Sequence, residues 1–207
     1  SDGSTRLLAL WDQRPAPGDG TDPPPRPFGY GRLLTRGRVD AALTTGDPYL
    51  ALRYDPADLD PGGGAHGTHT TSIAGRLAPG AALVGVNLGR QATPGVPLGS
   101  STEVLDAVRF VLDVAGDRPC VLNLSLGRHA GEHTGRSLVE RALDTLLATR
   151  PGTAVVQSCG NYLDRAPIGR WSPDVVVWLD LPRRVVMRRV VARTFGRLLT
   201  RRELWNG

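Results

Sequence analysis

The segment around His66 is the part of this chain best suited to acid–base chemistry. It reads Gly64-Ala65-His66-Gly67-Thr68-His69, and small and apolar residues follow through Ala74. Flanking glycines let other backbones approach closely, and the spacing predicts a helix that begins at His66 and ends near Leu77. Because an imidazole changes its charge near physiological pH, such a histidine can serve as a general base. The alternative is a helix-start histidine satisfied by backbone, and His69 is expected to be structural.

Two more segments each combine the end of an apolar strand with the polar and small residues that follow it. The first is L-N-L-S-L-G at residues 122–127, and the second is V-V-Q-S-C-G-N at residues 155–161. Together with the histidine segment, and in this order, they resemble the motifs of the subtilisin-like serine peptidases, the subtilases. The resemblance covers about residues 5–162. It implies an endopeptidase that cleaves peptide or protein substrates through an acyl-enzyme.

The resemblance also implies a role for individual residues. His66 is matched to the general base, and Asn161 to the residue whose side-chain amide donates to the oxyanion. The substrate strand is matched to Ser125, Leu126 and Gly127. The alternative for Asn161 is an ordinary loop asparagine after a glycine.

Asp12 is the candidate for the acid that orients the histidine. It follows the apolar run Leu7–Trp11, and the resemblance places the triad aspartate at the end of the first core strand. The usual family wording there is D-[ST]-G, whereas this chain has Asp12-Gln13-Arg14. The alternative is a strand-end aspartate that caps a turn. We expect Asp12, His66 and Asn161 to converge at the carboxyl edge of one parallel sheet.

The nucleophile has no match in this sequence. Subtilases carry it in a G-T-S-x-A/S-x-P segment, and none occurs after Asn161; Ser172 lies in Trp171-Ser172-Pro173. Since loss of the nucleophile costs about 10⁶ in turnover, the chain as it stands is expected not to hydrolyse peptides. No cofactor is expected.

Predicted strands and helices alternate along the chain. Strands are predicted at 7–11, 82–88, 120–124 and 154–158, and helices at 39–43, 66–77, 102–115 and 138–149. This alternation predicts an α/β fold with a parallel sheet and helices on both faces. With the resemblance, it predicts a truncated subtilase-like domain at residues 1–162.

The remaining residues, 163–207, are predicted to form a separate strand–helix tail. Residues 172–207 resemble the C-terminal part of small adenylate-kinase-like P-loop kinases, in which arginines help to bind nucleotide phosphates. Such a role would fall to Arg183, Arg184, Arg188 and Arg189. The chain contains no lysine, so a phosphate loop is excluded and only weak nucleotide binding is expected. We expect Val175–Leu179 to extend the sheet beside residues 154–158.

Composition and short motifs narrow the functions that remain possible for this chain. The net charge of +5 comes largely from the arginine-rich C-terminal segment and does not describe the whole surface. That segment could bind nucleic acid or a membrane surface, but few aromatic residues are interleaved and its apolar face needs burial, so nucleic-acid binding is not expected. No apolar run is long enough to span a membrane, and no secretory signal is visible, which predicts a cytoplasmic protein. The H-x-x-E-H pattern from His129 to His133 contains Gly131 and favours a solvated loop over a zinc site. A non-catalytic peptide-binding module and a nucleotide-binding protein remain alternatives to the peptidase.

Overall fold

A computed structural model describes residues 4–14, 21–54, 66–88, 101–126 and 134–158, together with Arg184, Met187, Arg188 and Val191. The chain forms two compact units. One comprises residues 1–55 and 73–172, and the other comprises residues 56–72 and 173–207. The boundary predicted between residues 162 and 163 stays a prediction.

The described part of the chain contains five strands and five helices. The strands are β1 (Leu7–Asp12), β2 (Arg32–Thr35), β3 (Leu83–Asn87), β4 (Cys120–Leu124) and β5 (Thr153–Gln157). The helices are α1 (Arg36–Leu43), α2 (Pro48–Leu52), α3 (His66–Leu77), α4 (Ser101–Ala115) and α5 (Leu138–Ala148). None of the described helices is long and apolar enough to cross a membrane.

The first sheet has the strand order β2-β1-β3. Strand β1 pairs in parallel with β3 and antiparallel with β2. The parallel pair agrees with the sequence-based prediction. The antiparallel β2 is a correction, because β2 is only four residues long and lies directly before a helix, with no alternating run that would predict it.

Alternate residues of β1 point to opposite faces of this sheet. On one face Trp11 is fully buried, and its ring lies 4.6 Å from that of Phe28, 5.0 Å from Tyr30 and 5.2 Å from Phe110 of α4. The indole Nε1–H donates to the backbone oxygen of Tyr30 at 3.1 Å, so the one polar atom of this ring has a partner. Helix α4 therefore covers this face.

Helices α1 and α2 cover the opposite face. Their buried residues Val39, Ala42 and Leu52 form a cluster with Leu34 of β2, against which Leu7 and Leu10 pack. The sequence predicted α1 only from Val39 and did not predict α2. Helix α2 forms because Asp47 caps it, accepting from the backbone N–H of Leu50, and because Pro48 suits a first helical position. The first sheet thus has helices on both faces.

The second sheet consists of β4 and β5, which are parallel. One face packs on α4 and α5 through a cluster that includes Val108, Leu112 and Leu122. Since Phe110 of the same helix packs on the first sheet, α4 lies between the two sheets. The predicted bounds of β4 are confirmed, and those of α4, α5 and β5 agree within one residue.

Candidate active site

The carboxyl edge of the first sheet is formed by the last residues of β1 and β3. Asp12 and Asn87 are register partners there, and the amide Nδ2 of Asn87 donates to Asp12 Oδ1 at 3.1 Å. The backbone N–H of Gln13 donates to Asn87 O at 2.9 Å, which continues the ladder beyond the strand. The sequence-based expectation that Asp12 ends the first core strand is therefore confirmed.

Two arginines bind the Asp12 carboxylate. Arg14 Nε donates to Oδ1 at 2.8 Å and Arg14 Nη2 donates to Oδ2 at 2.9 Å, which is a bidentate pair. Arg32 of β2 adds contacts of 3.4 Å to Oδ2 from both Nε and Nη2. All three side chains are buried, with Asp12 only 2% exposed. The cluster is a buried carboxylate shared by two guanidinium groups.

Arg32 connects this cluster to the end of α2. Its Nη1 donates to Leu52 O and its Nη2 to Arg53 O, both at 2.7 Å. Tyr54 follows, and its ring lies 5.0 Å from the guanidinium carbon of Arg14 and 5.9 Å from that of Arg32. Burial raises the pKa of the Tyr54 phenol, and the Asp12 charge raises it further, while the arginine charges lower it. The cluster therefore joins β1, β2, β3 and the end of α2.

These contacts bear on the role predicted for Asp12. A carboxylate has about four lone-pair sites, and the donors from Arg14, Arg32 and Asn87 engage both oxygens. An imidazole N–H can bind Asp12 only if it replaces one of these donors. The orienting role of Asp12 stays a prediction, and the cluster gives the same residue a structural role that is directly observed.

His66 is the first residue of α3, as predicted, and its side chain is exposed. His69, one turn later, is partly buried, which agrees with a structural role for that residue. The hydroxyls of Thr70 and Ser72 donate to the backbone oxygens of Gly67 and His69, three residues earlier in each case. The predicted convergence of His66 with Asp12 and Asn161 stays a prediction.

The carboxyl edge of the second sheet carries the start of the predicted substrate strand. Ser125 and Leu126 directly follow β4, and Asn123 Nδ2 donates to Ser125 Oγ at 2.7 Å. The backbone N–H of Ser158, after β5, donates to Leu124 O at 3.1 Å. Because β4 and β5 are parallel neighbours, the chain leaves both strands at the same edge. Gly127 and Asn161 lie outside the described residues.

Comparison with known proteins identifies the family. The model of the subtilase family, Peptidase_S8, matches residues 47–172. That span covers His66 and the two motif segments, which the sequence had singled out. The chain belongs to the subtilase family. A search of curated protein sequences found no match.

A solved structure supports the fold of this subtilase chain. It is titled "Structure of the Clostridium Perfringens CspB protease", and the TM-score is 0.58 at 23% sequence identity. The similarity covers 77% of this chain and 32% of that one, so this chain spans about a third of the length of its structural neighbour. At this level of identity the likeness concerns the fold.

The kinase-like resemblance of residues 172–207 finds no support in these comparisons. The subtilase match ends at residue 172. Of the arginines proposed to bind phosphate, Arg184 and Arg188 are described and exposed, whereas Arg183 and Arg189 lie outside the described residues. Val175–Leu179 and the H-x-x-E-H segment also lie outside them. Within the described ranges, no group of three or more His, Cys, Asp or Glu side chains is placed to hold a metal ion.

Sequence reasoning missed the residues that surround Asp12. Asn87 could have been found, since it ends a strand at the edge where α/β sheets place their sites. Arg14 and Arg32 carried no such signal. Arginines are mostly exposed, and nothing in the sequence shows that these two are paired in the interior.

Proposed function

We propose that this chain carries the substrate-binding and acid–base parts of a subtilisin-like serine endopeptidase. In this proposal His66 is the general base and Asp12 its orienting acid. Asn161 donates to the oxyanion, and Ser125, Leu126 and Gly127 pair with an extended substrate. The observation that carries the proposal is the parallel pair β4–β5, because the chain leaves both strands at one edge. Ser125 directly follows one strand, and Asn161 comes four residues after the other.

The chemistry follows from these roles. A peptide in extended form would add to the edge of the sheet through backbone hydrogen bonds at residues 125–127, where Gly127 permits close approach. A neutral His66 would take the proton of an attacking hydroxyl and return it to the leaving amine. Asn161 would stabilise the negative oxygen of the tetrahedral intermediate, and loss of such a donor costs about 10²–10³ in turnover.

The chain by itself is proposed to bind peptides without cleaving them. Residues 162–207 contain no G-T-S-x-A/S-x-P segment, so no serine is matched to the nucleophile. The truncated subtilase-like domain and the cytoplasmic location are parts of the same proposal. The Arg14–Asp12 pair adds one requirement: the imidazole has to displace a guanidinium donor if Asp12 is to orient it.

The first experiment combines labelling and turnover. The purified chain is incubated with a fluorophosphonate and with a chromogenic peptide, beside the variants His66→Ala and His69→Ala. We expect neither labelling nor turnover above background in any of the three. Stoichiometric labelling of a serine that is lost in His66→Ala and kept in His69→Ala would show that a nucleophile is present within the chain.

The second experiment measures peptide binding. Fluorescence anisotropy with a labelled extended hexapeptide is compared between the chain, Gly127→Val and the control Gly37→Val. A side chain at Gly127 should weaken binding about tenfold, which corresponds to about 1.4 kcal/mol. Gly37 in α1 has no atom within 4 Å of the place a Cβ would occupy, so the control should bind as the chain does. Equal affinities in all three proteins would contradict the assignment of the substrate strand.

A further inference from the structure

We propose that Arg6 is a positioning residue for His66, because it holds the far end of the helix that His66 begins. The inference rests on the proposed function, in which His66 is the general base. Arg6 lies directly before β1, sixty residues before His66 in the chain. No motif of the sequence singles it out, and its side chain is not part of the Asp12 cluster.

The guanidinium group of Arg6 binds the last turn of α3 and the residues that directly follow the helix. Its Nη1 donates to Ala78 O and Pro79 O, each at 2.8 Å, and to Ala81 O at 3.3 Å. Its Nη2 donates to Gly75 O at 3.0 Å. Carbonyl groups at a helix C-terminus have no partner within the helix, and a cation there interacts favourably with the helix dipole. One side chain thus donates to four backbone oxygens, of which Gly75 O belongs to α3 and the other three to the turn that follows it.

Gly75 provides the space for this guanidinium. A Cβ atom at position 75 would lie 2.8 Å from Arg6 Nη2, which is closer than such contacts allow. Gly75 is also the buried residue of α3, all of whose residues are described, while Ile73 and Leu77 are 51% and 84% exposed. The glycine therefore matters for the contact with Arg6 rather than for its backbone freedom.

The backbone of Arg6 is fixed as well. The N–H of Leu83, the first residue of β3, donates to Arg6 O at 2.9 Å. Arg6 therefore joins the starts of β1 and β3 to the end of α3. Because α3 is one helix from His66 to Leu77, its twelve residues span about 18 Å at 1.5 Å per residue. A tilt of about 10° at the held end would move the first residue by about 3 Å, enough to spoil a catalytic hydrogen bond.

The test reads out the histidine rings by ¹H–¹³C NMR, together with thermal unfolding. Arg6→Ala should shift the His66 ring resonance and lower Tm by roughly 4 °C or more. Arg6→Lys keeps the charge and should restore part of both effects. The matched control is Arg118→Ala, since Arg118 donates to Ala115 O and Val114 O at the end of α4. That control should lower Tm and leave His66 unshifted.

A double-variant cycle tests the contact itself. Gly75→Ala in the unchanged chain should shift the His66 resonance in the same way as Arg6→Ala, since the added methyl displaces the guanidinium. In the Arg6→Ala background the same change should raise Tm, by roughly 1–4 °C, because alanine is the better helix former. The expected result is therefore that Gly75→Ala lowers Tm in the unchanged chain and raises Tm in the Arg6→Ala background. Gly75→Ala in the unchanged chain also tests the contact if Arg6→Ala fails to fold.

The inference is overturned if Arg6→Ala and Gly75→Ala leave the His66 resonance where it is, whatever they do to Tm. It is equally overturned if Arg118→Ala shifts His66 by as much. Neither readout uses peptidase activity. If His66 is not the general base, the resonance shifts remain while the proposed function fails, so the two outcomes can be told apart.

Discussion

Arg14 and Asp12 form a buried bidentate ion pair two residues apart, with Nε–Oδ1 at 2.8 Å and Nη2–Oδ2 at 2.9 Å. The pair lies at the carboxyl edge of the first sheet, where the triad acid was predicted. Arg32 and Asn87 complete the surroundings of the carboxylate. The observed contacts therefore explain why an aspartate is needed at this position whether or not it also orients His66.

The first prediction concerns the stability that Asp12 provides. Asp12→Ala leaves the guanidinium groups of Arg14 and Arg32 buried without their carboxylate, and should lower the free energy of unfolding by about 3–5 kcal/mol. Asp12→Asn retains an acceptor oxygen and should cost less. Urea unfolding at pH 7 measures both.

Asp113→Ala is the control for this prediction. Asp113 also contacts two arginines, Arg109 at 4.0 Å and Arg150 at 3.6 Å, but its side chain is 47% exposed. Solvent-exposed pairs contribute only about 0–1 kcal/mol. An Asp12→Ala variant as stable as Asp113→Ala would show that the buried cluster contributes little.

The sequence predicted the regular helices and strands because hydrophobic periodicity is a local signal. The α4 segment has apolar residues at helical spacing, and β4 and β5 are short apolar runs between turns, so these elements lie where they were expected. Strand β2 was missed because four residues give no period. Helix α2 was missed because an Asp-Pro pair such as Asp47-Pro48 is as typical of a turn as of a helix cap and first helical residue.

The candidate site could be predicted only in part, for a different reason. Asp12 and His66 end and begin regular elements, which places them from the sequence. Asp12 has its partners in β2, in β3 and two residues further along the chain, and Gly75 has its partner in Arg6, directly before β1. Which arginine is buried against which acceptor depends on the packing of distant elements, and residue spacing carries no information about it.

A second prediction uses two glycines with the same backbone and different surroundings. Gly31 and Gly29 have φ values of +67° and +74°, so a side chain is strained at both. A Cβ at Gly31 would also collide with Asp12 O and lie 2.8 Å from Gln13 Cα, whereas nothing lies within 4 Å at Gly29. Gly29→Ala should therefore cost about 1 kcal/mol, and Gly31→Ala about 2–5 kcal/mol.

Chemical denaturation of both glycine variants measures this difference. Circular dichroism of each folded variant should remain like that of the parent chain, so that the comparison concerns stability alone. If the two variants lose equal stability, the strand end at Asp12 tolerates the displacement that an added methyl would force.

A third prediction concerns the arginines of the C-terminal segment. Arg184 and Arg188 are exposed, and each has helical backbone. Their attraction for ATP should be weak at low salt and lost at physiological salt, where the screening length is about 8 Å. Calorimetric titration should show this loss, and replacing both by alanine should weaken low-salt binding more than Arg141→Ala does. Tight magnesium-dependent binding that persists at physiological salt would contradict the prediction and favour a nucleotide-binding protein.

The last prediction is a loss of stability at alkaline pH that depends on Tyr30. Its hydroxyl donates to Asp106 Oδ2 at 3.0 Å and accepts from Gln13 Nε2 at 3.3 Å. Burial raises the pKa of Tyr30 above its ordinary value of 10.0, and the hydrogen bond and charge of Asp106 raise it further. Below pH 10 the phenol is neutral in both the folded and the unfolded chain, so its contribution is fully present.

Above that pH the unfolded chain ionises Tyr30 while the folded chain does not, and stability falls as the pH rises. Tyr30→Phe should cost about 0.5–1.5 kcal/mol at pH 7, since the hydrogen bonds are lost. The free energy of unfolding of Tyr30→Phe should also fall less steeply between pH 9 and pH 11 than that of the unchanged chain. The remaining slope is due in part to Tyr54, whose pKa is likewise raised. Urea unfolding across this range measures the slope, with Tyr49→Phe as control because Tyr49 is 53% exposed. Parallel curves for the chain and Tyr30→Phe would show that burial and Asp106 do not raise the pKa of the Tyr30 phenol in the folded chain.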